Sequence, residues 1–271
     1  MYYPRALPRR RQLNGITFEC LERGEGPPLL YLHASEGLDP DEAVIARLAE
    51  NFRVIAPAHP GFGLSELPRT TRTVDDLAYF YLDLIDAEGW DDLTVVGSSF
   101  GGWLALEIAT KYAHRIGRLV LDNPLGLRFA ERADRDFIDL FQLPPPDWSR
   151  HFLAGAPEDE RDWSAEPEDV ALRAARNREA FTRFGWAPYL HSPALKARLH
   201  RAAMPALVLW GEEDAVASRG YAEAVARVLP QARFQAIAGA GHYAFHDQPE
   251  AVARAVADFA LTPQAAAQAK A

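Results

Sequence analysis

The chain has almost no cysteine. Its 271 residues hold a single one, Cys20, which excludes an internal disulfide framework and fits a reducing, cytoplasmic compartment. Cys20 falls in an expected first strand, as a small core or edge residue. No Cys/His cluster has metal-ligand spacing, no Gly-rich loop has the form that cradles a phosphate, and no segment repeats. Neither a metal nor an organic cofactor is expected. No run approaches the ~20 apolar residues of a membrane-spanning helix. Arg5, Arg9, Arg10 and Arg11 cluster near the start, but no apolar stretch follows them to make a signal peptide. An excess of positive charge is missing too. The 29 Lys and Arg stand against 38 Asp and Glu, a formal charge of −9, which argues against nucleic acid as a partner. What remains reads as a soluble protein, long enough to bury a large core, with a homodimer left open.

The most informative stretch is Gly97-Ser98-Ser99-Phe100-Gly101, of the form Gly-x-Ser-x-Gly. Leu93-Thr94-Val95-Val96 before it is short and β-branched, as a buried parallel strand is. Trp103 to Tyr112 after it reads as a helix. A serine between such a strand and such a helix sits on a sharp turn, and its two flanking glycines avoid the collision of a Cβ with neighbouring backbone. The turn also places Ser99 at a helix N-terminus, where free N–H groups favour developing negative charge.

Two further residues complete a chemistry. Asp214 follows the apolar strand Ala206 to Gly211, and His242 lies in Gly239-Ala240-Gly241-His242 after the strand-like Arg233 to Ile237. Both stand just past strand ends, the edge at which open α/β sheets bind ligands. A serine hydroxyl is a weak nucleophile at neutral pH. It needs an imidazole to take its proton, and the imidazole needs a carboxylate to fix its tautomer. Asp122, at the end of the strand Arg118 to Asp122, is the rival carboxylate; the Trp-Gly-x-x-Asp setting favours Asp214.

Five segments together resemble the α/β-hydrolase fold family over nearly the whole chain. They are the loop Leu30 to Gly37, the turn Ala58 to Ser65, the Ser99 elbow, the loop Trp210 to Asp214, and Gly241-His242. The resemblance implies an α/β fold with a mostly parallel central sheet flanked by helices. It implies a serine hydrolase, carboxylesterase-like, in which Ser99, His242 and Asp214 are catalytic and the backbone N–H groups of Ser35 and Phe100 form the oxyanion hole. Small carboxylic esters or lactones are the expected substrates. C–C hydrolysis of diketone-like compounds stays open, as do a lyase, a cofactor-free oxygenase and a small-molecule receptor. Two departures stand out. The oxyanion loop reads His33-Ala34 where the family usually has His-Gly, and His59 replaces an Asp; His59 is expected to be structural or near the pocket mouth.

Strands and helices alternate, with strands at Leu29 to His33 and Arg53 to Pro57. Asp39 caps and Pro40 opens a helix. Val74, Leu77, Ala78, Tyr81, Leu84 and Ile85 fall on one helical face. Ser218 to Leu229 and Pro249 to Ala260 are the last helices, before a frayed tail from Gln264. The alternation breaks between 124 and 203, which holds Pro144-Pro145-Pro146 and many aromatics. By resemblance this is an inserted helical cap over a core made of 1–123 and 204–271, setting substrate choice and not chemistry. Leu125, Phe141, Trp186 and Tyr189 are its candidate substrate-lining residues.

Overall fold

The computed structural model describes residues 8–131, 134–143, 150–155 and 164–262. Pro144 to Pro146, Trp148, Trp163 and the tail from Gln264 lie outside these. Eight strands form one sheet: β1 (Arg9–Leu13), β2 (Ile16–Arg23), β3 (Pro28–Leu32), β4 (Arg53–Pro57), β5 (Leu93–Ser98), β6 (Ile116–Asp122), β7 (Ala206–Gly211) and β8 (Ala232–Ile237). Their order is β1-β2-β4-β3-β5-β6-β7-β8. The β1/β2 and β2/β4 pairs are antiparallel and the rest are parallel. Cys20 is buried in β2, the second strand rather than the first. β3 and β5 are neighbours, and the chain leaves them toward opposite edges of the sheet. The crevice between their carboxyl ends is the topological switch point.

The helices follow from pattern and caps. They are α1 (Glu42–Leu48), α2 (Val74–Glu88), α3 (Phe100–Lys111), α4 (Glu168–Gly185), α5 (Leu195–Arg198), α6 (Arg219–Val228), α7 (Ala244–Asp247) and α8 (Pro249–Leu261). α2 begins with a capping box between Thr73 and Asp76 and ends at Gly89 with φ +64°. α3 is buried from Phe100 to Thr110, so it is apolar all round, as a helix pressed against the sheet and covered by neighbours must be. The Asp39-Pro40 start differs from expectation. Asp39–Asp41 is a 3-10 turn, and Leu38 holds its cap position. Between 124 and 203 no strand occurs among the described residues; only the isolated bridges Gly126–His191 and Phe137–Ala217 tie this stretch laterally.

Candidate active site

Ser99 is the point where β5 becomes α3. Its φ of +51° and ψ of −110° are strained for a residue with a Cβ. The neighbouring glycines make that turn possible. A Cβ on Gly97 would stand 2.3 Å from the Gly101 carbonyl oxygen, and one on Gly101 would stand 2.0 Å from the Leu32 carbonyl oxygen. The elbow is therefore pressed against the end of β3 closely enough to exclude a methyl group. The Ser99 N–H donates to the Asp122 carbonyl (2.8 Å), and its own carbonyl accepts from Leu125 N–H (3.1 Å).

The structure brings Ser99, His242 and Asp214 together. Ser99 Oγ lies 2.8 Å from His242 Nε2, and His242 Nδ1 lies 2.9 Å from Asp214 Oδ2. An ionised carboxylate can only accept, so Nδ1 carries the proton and Nε2 is left free to receive one from Ser99. Asp214 is held rigidly. Asn123 Nδ2 donates to Oδ2 (2.7 Å), and the Val216 and Ala217 N–H groups donate to Oδ1 (2.7 and 3.1 Å). Asn123 also accepts from Gly211 N–H (3.1 Å), so it clips the acid loop to the end of β7. Its φ of +45° is one that Asn tolerates, and its place before Pro124 at a strand end is the sequence signal that could have singled it out.

Asp122 occupies a different place. It is fully buried and accepts from Ser98 Oγ at 3.3 Å. Burial, with the charges of Asp214 and Asp247 behind it, pushes its carboxyl up to about 7, against the Phe245 backbone and Ser98 hydrogen bonds. No hydrogen bond joins it to His242 among the described residues.

The Ser35 and Phe100 backbone N–H groups donate to no protein acceptor among the described residues, and both residues are buried. Phe100 opens α3, so the helix dipole adds to its N–H. The peptide that carries Ser35 N–H has its oxygen fixed by His33 Nδ1 (2.6 Å) and Gly37 N–H (3.2 Å). Ala34 is thus accommodated, fully buried, in a loop where a glycine is more usual. Ser35 Oγ shares a 2.7 Å hydrogen bond with the hydroxyl of Tyr243, the residue after His242.

His33 and His59 stack with ring centroids 3.6 Å apart. The His59 N–H donates to His33 Nε2 (3.0 Å), and His59 Nε2 donates to the His33 carbonyl (3.0 Å). Tyr81 O–H completes the set at His59 Nδ1. Every ring nitrogen is used with both imidazoles neutral. Burial holds His33 down to about 4 and His59 well below its ordinary value, His33 adding to the latter. His59 is therefore a wholly buried strut joining the oxyanion loop to the 58–65 turn, and it does not lie at a pocket mouth.

The four substrate-lining candidates separate. Leu125 is buried against the elbow. Phe141 touches Phe181, and Phe181 in turn meets the Phe100 ring edge-on at 5.8 Å. Trp186 is 61% exposed and, with Phe141 and Tyr189, lines a cleft of about 630 Å³ that none of Ser99, Asp214 and His242 lines. Tyr189 is tied to the loop before it. Its hydroxyl accepts from Leu140 N–H (2.8 Å) and donates to the Ile138 carbonyl, which makes it a brace for that loop. The reason is geometric: α4 turns its Phe181 and Phe184 face to Phe100, and the chain after Gly185 has already passed that contact. Phe152, not among the four, is buried with its ring 5.4 Å from His242 and 4.5 Å from Tyr243.

A family model for the alpha/beta hydrolase fold matches residues 27–249. The 2-hydroxymuconate semialdehyde hydrolase of Pseudomonas putida is 36% identical over 123 residues, 42% of each chain. Haloalkane dehalogenase 2 of Mycobacterium bovis is 28% identical over 258 residues, 87% of this chain and 88% of that protein. A solved meta-cleavage product hydrolase from Pseudomonas fluorescens superimposes with a TM-score of 0.76 at 21% identity, covering 93% of this chain and 97% of the other.

Proposed function

The chain belongs to the α/β-hydrolase fold family, and on that premise we propose that it is a serine hydrolase of small-molecule carboxylic esters or lactones. The observation that carries this is the continuous line from Ser99 Oγ through His242 to Asp214, at 2.8 and 2.9 Å, beside two backbone N–H groups with no protein acceptor. Ser99 attacks the substrate carbonyl as His242 Nε2 takes its proton. Negative charge collects on the carbonyl oxygen, facing the Ser35 and Phe100 N–H groups. His242 then gives the proton to the departing alkoxide, leaving an acyl-enzyme. Water attacks that ester with His242 again as base, and the acid and Ser99 are released. The segment 124–203, the proposed cap, covers this site at least through Phe152. Halide displacement is a poor fit. Attack on an alkyl halide by Ser99 would leave an ether, which lacks a carbonyl for water to attack.

C–C hydrolysis is the second reading, favoured by the name of the P. putida relative. The same attack on a ketone would expel a carbon leaving group, which must be stabilised as an enol and protonated at carbon.

A fluorophosphonate and a series of p-nitrophenyl esters test the proposal. Ser99 should be the residue labelled, and Ser99→Ala should lose on the order of 10⁶ in kcat. Labelling at Ser98, or an alanine variant that keeps most of its activity, would overturn it. Turnover of a 2-hydroxy-6-oxo-2,4-dienoate with no ester turnover would favour the second reading.

A further inference from the structure

The oxyanion loop is held from outside the core, by a side chain of α4. Asn177 is 6% exposed. Its Nδ2 donates to the Glu36 carbonyl (2.7 Å), and its Oδ1 accepts from Gly63 N–H (2.7 Å). Gly63 N–H can only donate and the Glu36 carbonyl can only accept, so the carboxamide has one possible orientation. The Glu36 carbonyl shares a peptide plane with Gly37 N–H. That N–H donates to the Ala34 carbonyl (3.2 Å), which shares the next plane with Ser35 N–H. Gly63 N–H, the Asn177 carboxamide and two peptide planes thus run head to tail toward the carbonyl oxygen that Ser35 faces.

We infer that Asn177 is a positioning residue for the oxyanion hole, aiming and polarising the Ser35 N–H through two peptide planes. This rests on the serine-hydrolase reading above. A trans peptide is planar, so pinning its oxygen fixes the direction of its N–H. Hydrogen bonds in such a chain polarise one another in the same sense and strengthen the last donor. The loop is built around this contact: a Cβ on Gly37, whose φ is +86°, would stand 2.5 Å from Asn177 Nδ2. Asn177 is not needed to dock α4. Arg173 makes a two-pronged ion pair with Glu19 (2.7 and 2.8 Å), and Arg176 donates to the Gly63 and Ser65 carbonyls. The segment expected to govern substrate choice alone therefore reaches the chemistry through one side chain.

Steady-state hydrolysis of p-nitrophenyl acetate tests this with three variants. Asn177→Ala removes both hydrogen bonds. Asn177→Asp is nearly isosteric, keeps an acceptor for Gly63 N–H, and replaces the donor to Glu36 with a repelling oxygen. Arg173→Gln loosens α4 without touching the loop. A misplaced oxyanion donor costs less than a deleted one, which is worth about 10²–10³. Both Asn177 variants should lose ~10–100-fold in kcat with KM within about threefold, while Arg173→Gln lowers the melting temperature and keeps kcat within about twofold. If Asn177→Ala does not fold, the Asp variant decides. An Asn177 variant with kcat within twofold of wild type, or an equal loss in Arg173→Gln, overturns the inference while the serine-hydrolase reading stands. A wild-type enzyme inert to the ester and to fluorophosphonate overturns both.

Discussion

At the scale of single residues, two buried carboxylates compete for one role, and their surroundings separate them. Asp214 faces four donors, His242 Nδ1 among them, and its two oxygens accept from all four. Asp122 has one 3.3 Å side-chain hydrogen bond to Ser98 and burial pushing its carboxyl toward neutrality. Asp214→Asn would present an amide to Nδ1 and favour the wrong imidazole tautomer, so kcat should fall by about 10⁴. Asp122→Asn should keep kcat within about fivefold, because it leaves the hydrogen bond to His242 intact. Kinetics of the two variants on one ester check this, and the reverse ranking would transfer the role to Asp122. The sequence offered both acids and favoured Asp214 by its Trp-Gly-x-x-Asp setting alone. The contact itself depends on which loop folds back over β6 and β7 to meet the His242 ring.

At the scale of elements, α4 binds two loops that sequence places more than a hundred residues away from it. Its Phe181 and Phe184 pack on Phe100, Arg173 pairs with Glu19 of β2, and Arg176 and Asn177 grip the 61–65 turn and the oxyanion loop. The chain beyond its end turns outward, leaving Trp186 largely in solvent. Trp186→Ala should therefore leave the preference among acetate, butyrate and benzoate esters unchanged within about twofold. Phe152→Ala should change it, since each methylene in an apolar pocket discriminates by only ~1–3 kcal/mol and Phe152 stands over His242. Ratios of kcat/KM across the three esters decide. A shift with Trp186→Ala and none with Phe152→Ala would restore the sequence expectation. Aromatic composition marks what is buried or sticky in an insertion, but not which side of a helix looks down.

At the scale of the whole molecule, the core carries neutral forms of groups that are charged when unfolded. His33 and His59 have depressed values in the folded state. As pH falls below about 6.5 the unfolded chain takes up protons that the folded one refuses, so their contribution to stability is lost toward pH 4. Asp122 and Asp41 act in the opposite sense. Burial raises both, so their contribution is complete below the ordinary carboxylate range and is lost as pH rises; for Asp122 the loss runs from about 4 to about 7. Denaturant unfolding of wild type and Asp122→Asn between pH 4 and 8 isolates one of these. The variant should gain on the wild type by up to about 4 kcal/mol as pH rises to 7, with no further change above it. A constant difference across that range would mean that Asp122 is ionised throughout.

The linear sequence determined whatever depends on local backbone and periodicity. The buried strands and the apolar face of α2 could be read directly, and so could the Gly-x-Ser-x-Gly turn, because a 2.0 Å approach of backbone to Gly101 admits no other residue. It also placed Ser99, Asp214 and His242 after strand ends, and in a parallel sheet those ends share one edge. Tertiary structure decided the rest. Whether Asp214 or Asp122 meets His242, whether Trp186 faces inward, and whether an asparagine on α4 aims a peptide N–H are questions of ångström-scale contact between segments far apart in the chain. Periodicity says which face of an element is apolar. Only the packed chain says what that face meets.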